Sequence, residues 1–86
     1  MNLEMLRKQI DDMDEQLVPL LNKRIKAALE IGHLKKQRGD QIWVPEREQA
    51  VLDHVTRINE GPLSSELLQH IYTAIMDAAK KTEEQI

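Results

Sequence analysis

Apolar residues in the first 37 positions recur with the period of an α-helix. Two interleaved seven-residue series run through this segment: Leu3, Ile10, Leu17, Arg24 and Ile31, and Leu6, Met13, Leu20, Ala27 and Leu34. The period predicts one long helix over about residues 2–37, with a buried stripe along its length. Because the series stay in phase on both sides of Pro19, we expect a kinked helix rather than two helices. Arg24 is the exception, since it places a guanidinium on the buried stripe.

Two shorter amphipathic helices follow the long one. Gly39-Asp40 ends the first helix, residues 41–44 form a connector, and the second helix begins around Pro45, whose missing N–H has no partner in a first turn. The second helix ends at residues 59–62, and Ser64 or Ser65 caps the third. The buried faces contain Val51, Leu52, Val55 and Ile58 in the second helix and Leu68, Tyr72, Ile75 and Ala79 in the third. The prediction is an all-α fold of a long, a short and a medium helix, in a single domain over residues 1–86.

The long helix has consequences for the oligomeric state. A helix of about 36 residues would be about 54 Å long, whereas a compact chain of this length has a radius of gyration of roughly 12 Å. The two shorter helices cannot cover an apolar stripe of that length. We therefore expect an intertwined homodimer.

Composition narrows the range of partners. The 12 basic and 15 acidic residues are interspersed, and Trp43 and Tyr72 are the aromatic residues. A nucleic-acid partner is therefore not expected. There is no apolar run of membrane-spanning length, no signal-peptide core at the N-terminus and no cysteine, so we expect a cytoplasmic protein without a membrane partner. His33, His54 and His70 lack the spacing of metal ligands, and no metal is expected.

Charged residues on the predicted buried faces are the candidate chemistry. Arg24 and Lys35 lie eleven residues apart, which places them on one face of the first helix about 16 Å apart along its axis. Two long cationic side chains on one face could hold a small anion between them. Arg47 lies on the apolar side of the second helix with Glu48 beside it, and Glu83 falls on the apolar face of the third. Burying so many charges is a costly way to build stability, which favours a binding function.

These charges also have structural interpretations. Arg24 could form a buried salt bridge with Glu48 or Glu83, and Lys35 could extend to solvent near the helix end. Arg7 lies seventeen residues before Arg24, about 25 Å away along a straight helix, so it cannot reach the same small ligand within one chain. In an antiparallel dimer, Arg7 could complete the site of the partner.

Four segments carry a resemblance to a known family. They are LRKQIDDMDEQL (6–17), LLNKR (20–24), EIGHLKK (30–36) and VPEREQAVL (44–52). Together with the spacing of their charged residues, they make the chain similar to the all-helical (AroQ-type) chorismate mutases over about residues 6–85. The resemblance implies an intertwined homodimer of three-helix chains with two active sites. It also implies rearrangement of chorismate to prephenate, in phenylalanine and tyrosine biosynthesis, without a cofactor.

The resemblance further implies a role for each charged residue. Arg24 and Arg47 would bind the two carboxylates of chorismate, and Lys35 would lie near its ether oxygen. Arg7 would come from the other protomer, and Glu48 would accept a hydrogen bond from the ring hydroxyl. These roles suit a rearrangement within one molecule, which needs a folded substrate and stabilisation of the charge that develops on the ether oxygen.

Two positions depart from the family pattern. Many relatives carry Asp directly before the proline of the second helix, where it caps the helix and can help orient substrate; this chain has Val44. At the position of Glu83, many relatives have Gln, whose amide donates to the ether oxygen. A carboxyl group donates only when protonated. Our hypothesis is that burial keeps the proton on Glu83, which acts as the acid, so that turnover falls as the pH rises.

Two other functions fit the same residues. An isochorismate pyruvate lyase acts on an isomeric dianion with a similar fold, although residues 37–47 match the mutases more closely. A noncatalytic helical dimer, such as a regulatory module of an aromatic-pathway enzyme, is the alternative from another class. Chorismate mutase domains occur fused to, or partnered with, prephenate dehydratase or the first enzyme of the shikimate route. Association with such an enzyme is a further expectation.

Overall fold

Three α-helices joined by two short connectors make up the fold. The structure is a computed structural model that describes residues 2–86. Helix α1 spans Leu3–Arg38, α2 spans Pro45–Ile58 and α3 spans Ser65–Glu84, with no strand among the described residues. The predicted all-α fold of a long, a short and a medium helix is confirmed. Within the described part of the chain, no helix is both long and apolar enough to cross a membrane.

Capping interactions define the helix ends. The Asn2 side chain accepts a hydrogen bond from the Met5 N–H at 2.9 Å where α1 begins. The Ser64 hydroxyl oxygen likewise accepts from the Leu67 N–H at 3.2 Å where α3 begins. Gly39 ends α1 in the left-handed conformation with φ of 77°, which glycine adopts without the steric cost of a Cβ. The start of α1, the end of α1 and the start of α3 therefore each have a local cause that the sequence already contained.

Helix α1 continues through Pro19 without interruption. Pro19 lacks the N–H that would bond to the carbonyl of the preceding turn, which weakens the helix locally. One turn further on, the Asn22 side-chain amide donates to the Val18 carbonyl at 3.2 Å. The prediction of one helix rather than two is confirmed, and the kink stays a prediction.

Helix α3 packs against both α1 and α2 and carries the inner face of the chain. The fully buried hydrophobic residues are Val51, Val55 and Ala79, and Leu52, Leu68, Tyr72 and Ile75 are half-buried. The predicted inner face of α3 is therefore confirmed. Ile58 is 61% exposed, so its predicted burial is wrong for the single chain. The reason is its position as the last residue of α2.

The apolar stripe of α1 lies exposed on the single chain. Leu3, Leu6, Ile10, Met13, Leu17, Leu20, Ile31 and Leu34 are 43% to 62% exposed. Every described residue up to position 20 is exposed. The molecule measures 55 × 26 × 16 Å with a radius of gyration of 15.9 Å, compared with roughly 12 Å for a compact chain of this length. The N-terminal half of α1 therefore extends beyond the other helices, with no cover from its own chain.

Candidate active site

A cavity of about 240 Å³ lies between the C-terminal half of α1, the connector 41–44, the start of α2 and the inner face of α3. Its uncharged lining consists of Ala27, Ala28, Ile31, Gly32, Ile42, Trp43, Val44, Val51, Met76 and Ala79. Its charged lining consists of Arg24, Lys35, Arg47 and Glu48. Because apolar side chains form most of the walls, charges here are less screened than at an open surface. The volume suits one compact small molecule.

Five predicted site residues meet in this cavity: Arg24, Lys35, Val44, Arg47 and Glu48. Helix α1 contributes the first two from one face, three turns apart, as their spacing predicts. The other three come from the end of the connector and from the first turn of α2. The proximity of these residues is thus a product of the fold, and their roles toward a ligand stay predictions.

Arg24 is held by an aromatic ring rather than by a carboxylate. It is half-buried, and its Cζ lies 5.6 Å from the centroid of the Tyr72 ring, within the range of a cation–π interaction. The ion pairs formed by residues 2–86 are Lys8–Asp12, Arg38–Asp40 and Lys80–Glu48. The alternative interpretation of Arg24 as half of a structural salt bridge is therefore wrong in this structure. The Tyr72 contact orients a guanidinium whose charge is not neutralised within the described chain.

Lys80 of α3 lies beside the charged residues of the cavity lining and was not among the residues predicted from the sequence. Its ammonium pairs with the Glu48 carboxylate and lies 5.9 Å from the centroid of the Trp43 ring. The hydrogen bond to Glu48 raises the pKa of Lys80 above its ordinary 10.5. The signal was present in the helical spacing: Lys80 follows Met76 by four residues and Tyr72 by eight, which places all three on one face of α3.

Glu83 lies at the border of the cavity rather than in its lining. It is half-buried and faces α1 at Gly32, where an added Cβ would lie 3.6 Å from Glu83 Oε2 and 3.3 Å from Ile42 Cγ2. Glu83 lines a second hollow between the C-terminal parts of α1 and α3. The single chain therefore does not place Glu83 with the other predicted site residues, although Gly32, which it contacts, lines the cavity.

Arg7 lies apart from the cavity within its own chain. It is exposed in the N-terminal half of α1, and the seventeen residues to Arg24 correspond to about 25 Å of helix. The helix is continuous between the two residues, so the prediction that they cannot share a small ligand within one chain is confirmed.

Val44 occupies the N-cap position of α2 without a side-chain hydrogen bond. Only its backbone carbonyl takes part in the first turn, accepting from the N–H groups of Arg47 at 3.1 Å and Glu48 at 3.3 Å. The missing cap that the sequence predicted is confirmed. It leaves the helix start that carries two of the charged residues less stabilised than an Asp would.

The arrangement of cations in this cavity agrees with the comparison to known families. Residues 6–84 match the family model described as chorismate mutase type II. The chain belongs to this family. It is 40% identical over 88 aligned positions to the bifunctional chorismate mutase/prephenate dehydratase of Aquifex aeolicus, an alignment that covers 98% of this chain and 24% of that protein. The chain thus spans about a quarter of the length of the curated relatives that it matches first.

Solved chorismate mutases share the fold over nearly their whole length. Form II of the Thermus thermophilus chorismate mutase superposes with a TM-score of 0.91 at 30% identity, covering 95% of this chain and 93% of that one. The Helicobacter pylori chorismate mutase in complex with prephenate superposes with a TM-score of 0.86 at 35% identity, covering 96% and 90%. The sequence and the fold together define a chorismate mutase domain.

Proposed function

We propose that this domain converts chorismate to prephenate in the cavity between α1, α2 and α3. The observation that carries the proposal is the convergence of Arg24, Lys35 and Arg47 on one apolar-walled cavity that contains a single lining carboxylate, Glu48. Chorismate is a dianion, and an excess of cations in a poorly screened cavity favours its binding. The Helicobacter pylori relative, solved with prephenate, supports the proposal.

Arg24 and Arg47 would bind the two carboxylates of the substrate. Guanidinium groups bind carboxylates through two parallel hydrogen bonds, which fix orientation as well as position. The two residues come from different helices that both line the cavity, so together they would hold the substrate in the compact geometry in which its ends react. Positioning of this kind contributes much of the acceleration of reactions within one molecule.

Lys35 would stabilise the charge that develops in the transition state. As the ether C–O bond breaks, negative charge builds on the oxygen, and a preorganised ammonium at that point lowers the barrier. Glu48 would accept a hydrogen bond from the ring hydroxyl and so set the ring's orientation. Val44, in place of the Asp of many relatives, would contribute only apolar contact.

Two further groups would complete the site. We propose that a homodimer forms along the exposed stripe of α1 and that Arg7 of each protomer enters the cavity of its partner. Glu83 would move from the border of the cavity to the ether oxygen and, in its protonated form, donate a hydrogen bond there. The apolar stripe on α1, with no cover from its own chain, supports the first proposal.

We place the reaction in the cytoplasm, with which the absence of cysteine agrees. We also propose that the domain works fused to, or associated with, another aromatic-pathway enzyme. The bifunctional proteins among its relatives support this proposal.

The test is the loss of chorismate absorbance with purified wild type, Arg24→Ala and Arg57→Ala. Arg57, exposed in the last turn of α2, is the matched control for loss of an arginine. We expect Arg24→Ala to lower kcat/KM by about 100-fold or more, because it removes a buried charge contact to the substrate, and Arg57→Ala to leave it unchanged. Circular dichroism and sedimentation would show that each variant keeps the fold of the wild type.

Two outcomes would contradict the proposal. Full activity in Arg24→Ala would mean that the cavity is not the site. A well-folded wild type without turnover would favour the noncatalytic regulatory module. The same preparations incubated with isochorismate should release no pyruvate, and pyruvate release would favour the lyase.

A further inference from the structure

The Lys80–Glu48 ion pair ties α3 to the first turn of α2 at the edge of the cavity. The two side chains are 32% and 34% exposed, so the pair lies at the rim and neither in open solvent nor in the core. The ammonium also lies over the Trp43 ring of the connector. Lys80 belongs to α3 and therefore contacts, from a third segment, both the connector and the start of α2, which form one wall of the cavity.

This pairing changes the charge balance of the cavity. Glu48 is the one carboxylate in a lining with three cations, and an unpaired carboxylate there would oppose the binding of a dianion. Lys80, which is outside the cavity lining, offsets the negative charge of Glu48. The cavity can therefore use Glu48 as a hydrogen-bond acceptor without losing the attraction of Arg24, Lys35 and Arg47.

The pairing also has a defined geometry at the carboxylate. Lys80 contacts Glu48 Oε1, and no hydrogen bond to Oε2 occurs among residues 2–86. An ionised carboxylate has two oxygens and about four acceptor positions. With one oxygen held by the ammonium, the other is left to accept from a donor in the cavity.

We propose that Lys80 is a positioning residue for Glu48: it holds one carboxylate oxygen against α3 so that the other accepts the hydroxyl hydrogen bond of the substrate. This inference rests on the proposed function. Lys80 does not line the cavity and acts on the substrate only through Glu48.

Three variants test the role of Lys80 in the full chain: Lys80→Ala, Lys80→Arg and Lys81→Ala. Lys81 is the matched control, since it is the next residue of α3, is exposed and carries the same charge. We expect Lys80→Ala to raise the KM for chorismate about fivefold with little change in kcat, because the hydroxyl contact is made equally in the ground and transition states. Lys80→Arg should restore most of the affinity, and Lys81→Ala should match the wild type.

A double-mutant cycle separates positioning from a general structural effect. In the Glu48→Gln background, Lys80→Ala should cause no further rise in KM, because the group through which it acts is gone. Emission from Trp43, the single tryptophan of the chain, should change in Lys80→Ala and not in Lys81→Ala. Circular dichroism would confirm that all variants keep the helical fold.

Each failure points to a different error. With an active wild type, the positioning role would be overturned if Lys80→Ala raised KM equally with Glu48 present and in the Glu48→Gln background. An equal rise in KM in Lys81→Ala would also overturn it. An unchanged Lys80→Ala enzyme would do the same. A wild type without turnover would overturn the proposed function and this inference with it.

Discussion

At the scale of single residues, the informative feature is where charge lies on an apolar face. Arg24 falls in the hydrophobic series of α1, yet the structure shows it beside a cavity and against the Tyr72 ring. Desolvating a guanidinium is unfavourable unless something compensates for it. The ring compensates in part, and a substrate carboxylate would supply the rest. An arginine at such a position is therefore understandable in a binding site and hard to explain in a core that serves stability alone.

Lys80 leads to a prediction about stability at alkaline pH. The hydrogen bond to Glu48 raises the pKa of Lys80 in the folded chain above its ordinary 10.5. A raised pKa means that the pair stabilises the fold fully below about pH 10.5 and loses that contribution as the pH rises through the folded pKa. The difference in free energy of unfolding between wild type and Lys80→Met should therefore be constant from about pH 7 to 9 and shrink as the pH rises through the raised pKa of Lys80.

Urea unfolding at one fixed protein concentration would measure this difference, since dissociation of a dimer would otherwise shift the apparent stability. The same series on Lys81→Met controls for loss of an exposed lysine. A difference that grows with pH would contradict the assignment.

Glu83 gives a second prediction at this scale. If Glu83 donates a hydrogen bond to the ether oxygen, Glu83→Gln should retain turnover, because an amide also donates. Glu83→Ala should lower kcat by about 100-fold to 1,000-fold, the usual cost of removing one donor to a developing oxyanion.

The measurement is the initial rate of chorismate loss across pH for the three proteins. Equal rates for wild type and Glu83→Ala would show that Glu83 belongs only to the border contact with Gly32.

At the scale of the elements, the start of α2 combines function with weak capping. Its first turn carries Arg47 and Glu48, and the N-cap Val44 offers no side-chain acceptor. The macrodipole there favours the negative charge of Glu48 and of any bound carboxylate.

Capping this helix should stabilise the domain. Val44→Asn supplies a side-chain acceptor to the first turn and should raise the free energy of unfolding by about 1 kcal/mol. Val44→Ala removes the same apolar side chain without adding a cap and serves as the control, with no gain expected. Thermal unfolding at fixed concentration would compare them. A variant Val44→Asn that is no more stable than Val44→Ala would mean that the backbone contacts of this turn already suffice.

At the scale of the whole molecule, the dominant feature is α1, whose N-terminal half lies exposed among the described residues 2–86. The eight apolar residues of its stripe would each gain stability on burial, at roughly 1.5–3 kcal/mol for a large side chain. A second copy of α1 has a stripe of the same length, so self-association would cover both. The single chain therefore leaves an apolar surface that a second copy would cover, and Arg7 of each proposed site would come from that copy.

Mixing two variants tests this arrangement. Arg7→Ala and Arg24→Ala should each be nearly inactive. After co-refolding, about half of the dimers should be mixed, and each mixed dimer should contain one site with both mutations and one intact site. The mixture should therefore recover about a quarter of the wild-type activity. The two variants refolded separately and then combined are the control.

No recovery after co-refolding, with dimers present by sedimentation, would show that Arg7 acts within its own chain or not at all. A monomer at micromolar concentration would contradict the proposed homodimer directly.

The sequence by itself determined the three helices and the helix faces on which Arg24, Lys35, Arg47 and Glu48 lie. Those features follow from short-range causes: helical period, caps and the connector. Only the tertiary structure decided what depends on packing between helices. It placed Lys80 on Glu48, held Arg24 against Tyr72 instead of a carboxylate, and set Glu83 outside the cavity. The period of a helix defines which side a residue faces, but which atoms meet across that side depends on how two helices are offset, and no single-helix pattern contains that offset.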